Sequence, residues 1–166
     1  MNNIIFIHGL ESSGKGFKGL YLKKKFPEIL TPDFVEYDPN RTLEDLLNSR
    51  MVQLNAILSK RKLWVIIGSS FGGLMGVIYA LKNPEKVKRL ILLAPYLDTK
   101  LLNWDSASPI DMPVIVFHGR NDEIAKFKPS RERAYILFTK LEFNATENDH
   151  NLNPIVEKLN WRALIL

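Results

Sequence analysis

The stretch Leu63-Trp64-Val65-Ile66-Ile67-Gly68-Ser69-Ser70-Phe71-Gly72-Gly73 decides the reading. An unbroken apolar run ends in small residues, then passes into Leu74, Val77, Ile78 and Leu81, spaced for one face of a helix that stops before Pro84. Inside the turn lies G-x-S-x-G, in the order strand, sharp turn, helix. Such a turn puts Ser70 in strained backbone at the strand tip, where its hydroxyl is presented. Only small residues fit two positions before and after, which accounts for Gly68 and Gly72. The Phe71 N–H, at a helix N-terminus, is aimed at charge building on a substrate oxygen. The bland reading is a Gly-Ser turn that packs a helix on a sheet.

Outward from this turn, β-rich runs alternate with helical patterns to both ends of the chain, the signature of a parallel sheet. The runs are Ile4 to Ile7, a weak one at Phe34 to Tyr37, Leu63 to Ile67, Leu90 to Leu93, Val114 to Phe117 and Leu141 to Phe143. Several are continuously apolar, as expected of strands covered on both faces. Phe17, Leu20, Tyr21 and Phe26 predict a helix ending near Pro27. Leu43, Leu46, Leu47, Leu54, Ile57 and Leu58 predict another behind a Thr42 cap, with Asp45 three residues on. Pro129 and Pro154 sit where a proline opens a helix. The expected architecture is α/β, a three-layer sandwich with a mainly parallel sheet of about six strands, as one domain over residues 1–166.

At 166 residues with 46% hydrophobic and 25% charged content, the chain is long enough to bury about two-thirds of its unfolded surface. It contains no Cys, which excludes disulfide, zinc-thiolate and iron–sulfur chemistry. No apolar stretch approaches a membrane span, and no basic leader precedes Ile4, so a cytoplasmic location is expected. The net charge of +5 permits contact with nucleic acid or an anionic membrane. The basic residues are scattered in small groups without interleaved aromatics, so neither partner is expected. Oligomeric state is not readable.

A serine nucleophile needs a base, and the base needs an orienting acid. Where this turn carries catalysis, the chain order is Ser, then Asp or Glu, then His. Of three histidines, His8 and His118 close predicted strands, while His150 alone lies late enough. Asp122, just beyond Val114 to Phe117, is the expected acid, preferred over Glu123 and over Asp98. Asp149 reads as a solvated loop residue.

These residues resemble the α/β-hydrolase superfamily, in particular the small bacterial esterases of the YqiA kind. The matching blocks are Phe6-Ile7-His8-Gly9-Leu10-Glu11-Ser12-Ser13, the turn Gly68 to Gly73, and the Asp122 and His150 loops. The resemblance implies a minimal fold without a lid domain and a Ser70-His150-Asp122 triad. It also implies an oxyanion hole from the N–H groups of Leu10 and Phe71, and hydrolysis of short carboxylic esters through an acyl-enzyme, with no cofactor and no metal. A thioester is the alternative substrate on the same triad. Glu147-Asn148-Asp149 precede His150 where many relatives have a Gly. Between Pro95 and Pro113, where larger relatives insert a lid, only a short segment remains. Its Tyr96, Leu97 and Trp104, with Leu101, Leu102 and Ile110, are read either as a shallow acyl pocket or as packing over the sheet edge.

A rival occupies the same turns. Gly9-Leu10-Glu11-Ser12-Ser13-Gly14-Lys15-Gly16 nearly satisfies the phosphate loop G-x-x-x-x-G-K-[ST] after a strand and before a helix, so nucleotide binding is a second reading. Gly16 stands where the Mg²⁺-binding hydroxyl would be. Lys15 and Lys18 otherwise fall at the site rim, where a preference for anionic substrates would originate.

Overall fold

The computed structural model describes residues 3–103 and 108–166. Five strands form one parallel sheet in chain order: β1 (Asn3–Ile7), β2 (Trp64–Ser69), β3 (Val87–Leu93), β4 (Ile110–Gly119) and β5 (Phe138–Thr146). Because all five run the same way, every strand delivers its following loop to one edge of the sheet. Ile4, Ile5 and Phe6 lie beside Val65, Ile66 and Ile67, and these beside Arg89, Leu90 and Ile91.

Alternate side chains of each strand serve two cores. Ile5, Ile7, Ile66, Leu90, Leu92, Val114 and Val116 pack with α2 (Leu43–Leu58), α3 (Phe71–Lys82) and α4 (Phe127–Leu137). Ile4, Phe6, Val65, Ile67, Ile91, Leu93, Ile115 and Phe117 pack on the other side with α1 (Phe17–Lys25), α5 (Asn153–Lys158) and α6 (Trp161–Ile165). Two apolar layers explain why the central runs show no polar alternation. The α2 start follows its sequence signal, since Thr42 Oγ1 accepts the Asp45 N–H at 3.1 Å.

The sheet corrects one expectation. Phe34 to Tyr37 is not a strand, and the described sheet has five strands rather than about six. The edge of β1 instead carries an isolated parallel bridge between Ile5 and Leu30, closed by Phe6 N–H to Leu30 O at 2.8 Å and Leu30 N–H to Ile4 O at 3.0 Å. Pro32 follows the bridge and has no N–H to continue a ladder. Beyond it the backbone groups go to side chains. Phe34 N–H donates to His8 Nε2 at 3.0 Å, Val35 N–H to Gln53 Oε1 at 2.9 Å, and Val35 O accepts from Arg50 Nε at 2.8 Å.

The chain thus leaves β1 toward Leu30 on one side and returns as β2 on the other. The crevice beyond the carboxyl ends of β1 and β2 is where an open α/β sheet holds ligands.

Candidate active site

Ser70 occupies the turn between β2 and α3 with φ 53° and ψ −115°, in positive-φ backbone that a non-glycine residue rarely adopts. The turn holds because Ser70 N–H donates to Leu93 O at 2.9 Å while Ser70 O accepts the N–H groups of Gly73, Leu74 and Tyr96. Gly72 permits the close approach that locks it, since a Cβ there would stand 2.1 Å from Ile7 O on β1. Among the described residues no acceptor takes the N–H of Phe71, the first residue of α3, or that of Leu10.

The loops after β4 and β5 carry the other two groups. Arg120 N–H donates to Thr146 O at 2.7 Å and Asn121 N–H to Asn148 O at 3.2 Å, with an Arg120–Glu147 ion pair at 2.9 Å outside them. Gly119 lets the two loops touch: a Cβ on it would be 2.0 Å from Asn148 O. Fastened this way, the second loop turns His150 back over the sheet edge. Its Nε2 lies 2.8 Å from Ser70 Oγ and its Nδ1 2.7 Å from Asp122 Oδ2.

Asp122 is fully buried at its side chain, whereas that of His150 keeps 20% exposure. Asp122 Oδ1 accepts the N–H groups of Ile124 at 2.9 Å and Ala125 at 2.8 Å. A second imidazole reaches Oδ2, with His118 Nε2 at 3.2 Å and also 2.7 Å from Ala125 O. The Nδ1 of His118 is buried with no partner among the described residues, so the proton belongs on Nε2 and the ring donates toward Asp122. Burial alone would raise the Asp122 pKa. Hydrogen bonds from His118 and His150, the charge of His150 and the Ala125 N–H outweigh it and hold the carboxyl well below the usual carboxylate range.

The sign of this shift gives a stability prediction. A folded-state value below the unfolded value near 3.9 contributes stability that is complete above the unfolded value and lost as pH falls through the folded one. Urea unfolding of Asp122→Asn beside the parent chain is expected to show the widest gap above about pH 5, narrowing as pH drops below about 4. A gap that stays constant from pH 7 to pH 3 would contradict this.

Ser70 and His150 line a cleft of about 560 Å³, with Asp122 buried behind His150, and its apolar wall includes Leu10, Phe17, Leu43, Phe71, Tyr96 and Ile124. Tyr96 lines this cleft, whereas Leu97 does not. Its side chain is 0% exposed and packs in the α2–α3–α4 core, because Leu97 N–H turns back to Pro95 O at 3.0 Å and drives the residue inward. Leu102 and Ile110 are likewise buried in that core, and Trp104 lies outside the described residues. Phe17, Leu43 and Ile124, at a helix start, a helix start and a loop, complete the wall without a local sequence signal. Lys18 lines the cleft with its pKa lowered by burial, opposite in sign to Glu11 on the same wall, while Lys15 is exposed outside it. Asp98 pairs at the surface with Arg133 at 3.6 Å. Asp149 accepts the Asn151 N–H at 3.0 Å and is exposed.

In the loop from Gly9 to Gly16, the three amides at the helix end are already occupied. Gly14 N–H is taken by Asp33 Oδ1 at 2.8 Å, Lys15 N–H by Ser13 Oγ at 3.2 Å and Gly16 N–H by Ser13 O at 3.1 Å. A carboxylate thus stands at an amide that a phosphate cradle needs free.

Solved structures with this fold include α/β hydrolase domain-containing protein 10 from mouse, at TM-score 0.84 and 18% identity, covering 98% of this chain and 89% of that one. Est1E from Butyrivibrio proteoclasticus, solved with bound ferulic acid, matches at TM-score 0.78 and 16% identity over 99% and 88%. A monoacylglycerol lipase from Paleococcus ferrophilus matches at TM-score 0.75 and 15% identity over 98% and 91%. No curated protein matches the sequence. The family model for the alpha/beta hydrolase fold matches residues 2–117, from β1 through most of β4 and including the Ser70 turn. On that match the chain belongs to the alpha/beta hydrolase family.

Proposed function

We propose that the protein is a serine hydrolase that cleaves short-chain carboxylic esters through an acyl-enzyme intermediate. The observation that carries the reading is the unbroken line from Asp122 Oδ2 through both ring nitrogens of His150 to Ser70 Oγ, at 2.7 and 2.8 Å. Family membership, the bound ferulic acid of Est1E and the lipase name of another neighbour agree with ester chemistry.

In the first step Ser70 Oγ bonds to the ester carbonyl carbon as its proton passes to His150 Nε2, and the carbonyl electrons move onto oxygen. The Leu10 and Phe71 N–H groups receive that oxyanion; a single such donor typically contributes about 100- to 1000-fold in rate. Collapse breaks the bond to the alkoxy oxygen, which leaves with the proton from His150. Water then enters by the same path, giving its proton to His150, and expulsion of Ser70 Oγ frees the acid. Asp122 keeps the imidazole proton on Nδ1, so that Nε2 faces Ser70 as an acceptor. Its depressed pKa keeps Asp122 charged, and able to accept from Nδ1, throughout the neutral range.

The cleft of about 560 Å³ has no lid over it among the described residues, and short acyl groups are expected to suit it best. Nitrophenyl esters from acetate to dodecanoate are expected to give kcat/KM highest at two to six carbons. The profile is then flat or falling, since methylenes that reach past the cleft stay in water and gain none of the about 0.8 kcal/mol that burying each would add. A steep rise beyond about eight carbons would overturn the short-chain assignment. Acetyl and butyryl thioesters in the same panel decide between oxygen and sulfur leaving groups. The occupied amides from Gly14 to Gly16 count against the nucleotide reading.

A further inference from the structure

Arg50, on the second turn of α2 and facing the sheet, is 0% exposed. Among the described residues no carboxylate pairs with it. A buried cation without a counter-charge is costly and calls for full hydrogen bonding. Its guanidinium supplies this from three carbonyls: Nε to Val35 O at 2.8 Å, Nη1 to Gly9 O at 3.1 Å and Nη2 to Leu10 O at 2.7 Å. The same group lies 5.5 Å over the ring of Phe71. Gly9 O takes a further donor from His8 Nδ1 at 2.8 Å, the other nitrogen of that ring accepting Phe34 N–H. His8 is thereby fixed as a neutral donor, consistent with a pKa lowered first by burial and further by the Arg50 charge. Burial brings the Arg50 pKa down to about 10, which leaves it charged at neutral pH.

Gly9 O belongs to the same peptide unit as the Leu10 N–H. In a planar trans peptide the two point in opposite directions, so holding the carbonyl toward Arg50 and His8 turns the Leu10 N–H to the opposite side. The bond to Leu10 O fixes the next peptide as well. Donation of charged N–H groups to a carbonyl also polarises the amide and strengthens its N–H as a donor. We propose that Arg50 is a positioning residue for catalysis, clamping the Gly9 and Leu10 carbonyls so that the Leu10 N–H is preset and strengthened as the second oxyanion donor. This role rests on the reading of Ser70 as the nucleophile and Leu10 as a donor. Lysine cannot replace the planar fork that spans two successive carbonyls.

The test is Arg50→Lys, with Arg50→Gln beside it in case either fails to fold, and Leu54→Ala as a destabilised variant of the same helix that removes none of the Arg50 bonds. Nitrophenyl acetate turnover is measured with inhibition by a trifluoromethyl ketone, whose hemiketal with Ser70 carries the oxyanion. For Arg50→Lys we expect kcat to fall about 10- to 100-fold with KM within about twofold. Affinity for the ketone should weaken by the same factor as kcat/KM. Leu54→Ala should lose stability while keeping kcat and ketone affinity near the parent values. If folded Arg50→Lys and Arg50→Gln keep kcat and ketone affinity, or change no more than Leu54→Ala, Arg50 is merely a structural staple. A parent chain that neither turns over the ester nor binds the ketone would instead remove the hydrolase reading beneath it.

Discussion

Ser70→Ala is expected to lower turnover of nitrophenyl acetate by about 10⁴- to 10⁶-fold, the range seen when a triad nucleophile is removed. The substitution deletes one oxygen and its 2.8 Å bond to His150 Nε2. It leaves in place the backbone bonds of the turn, Ser70 N–H to Leu93 O and Ser70 O to Gly73, Leu74 and Tyr96. Alanine carries the same positive-φ strain as serine, so the turn gains no new cost. The unfolding midpoint should stay within about 4 °C, equivalent to about 1 kcal/mol for a chain of this size. The variant therefore separates chemistry from folding. A residual rate within tenfold of the parent, in a folded sample, would mean that another group attacks the ester.

Asp122→Asn is expected to cost about 10⁴-fold in kcat, for a reason visible in the contacts. The amides of Ile124 and Ala125 both donate to Oδ1 at 2.9 and 2.8 Å, so an asparagine must keep its carbonyl there and turn its NH₂ toward His150. His150 Nδ1 would then have to accept, the ring proton would move to Nε2, and the ring would offer Ser70 a donor in place of a base. Asp98→Asn should change kcat less than about threefold, since that side chain pairs with Arg133 at 3.6 Å, half exposed at the surface. Exchange of these two outcomes would move the acid to the loop after β3.

The central strands and the Ser70 turn were legible because both report local physics: strands buried on two faces have no polar alternation, and a tight turn between strand and helix admits few residues. The candidate positions Ser70, Asp122 and His150 were read from chain order, and a parallel sheet brings every strand end to one edge. What escaped depended on distant side chains. Phe34 to Tyr37 has strand-like residues, yet its backbone groups go to His8, Gln53 and Arg50, and no local pattern announces that. The reach of β5 to Phe138–Thr146 was underread because it is a half-exposed edge strand with scattered apolar residues. Leu97 and Ile124 are equally apolar, but one is 0% and the other 70% exposed. Burial of a loop residue is settled by the path of the backbone, here the Pro95–Leu97 turn. His118 did leave a signal, standing four residues before Asp122 at a strand end, but its contact with the carboxylate only becomes visible once the loop closes.

Reaction of the native protein with a fluorophosphonate, followed by peptide mass spectrometry, tests the central claim most directly, because such reagents phosphonylate a serine only where a neighbouring base has activated it. The expected result is one adduct per chain, on Ser70, formed in minutes at neutral pH and absent from His150→Ala. An unmodified protein, or an adduct on Ser12, Ser13 or Ser69 that persists without His150, would contradict the account.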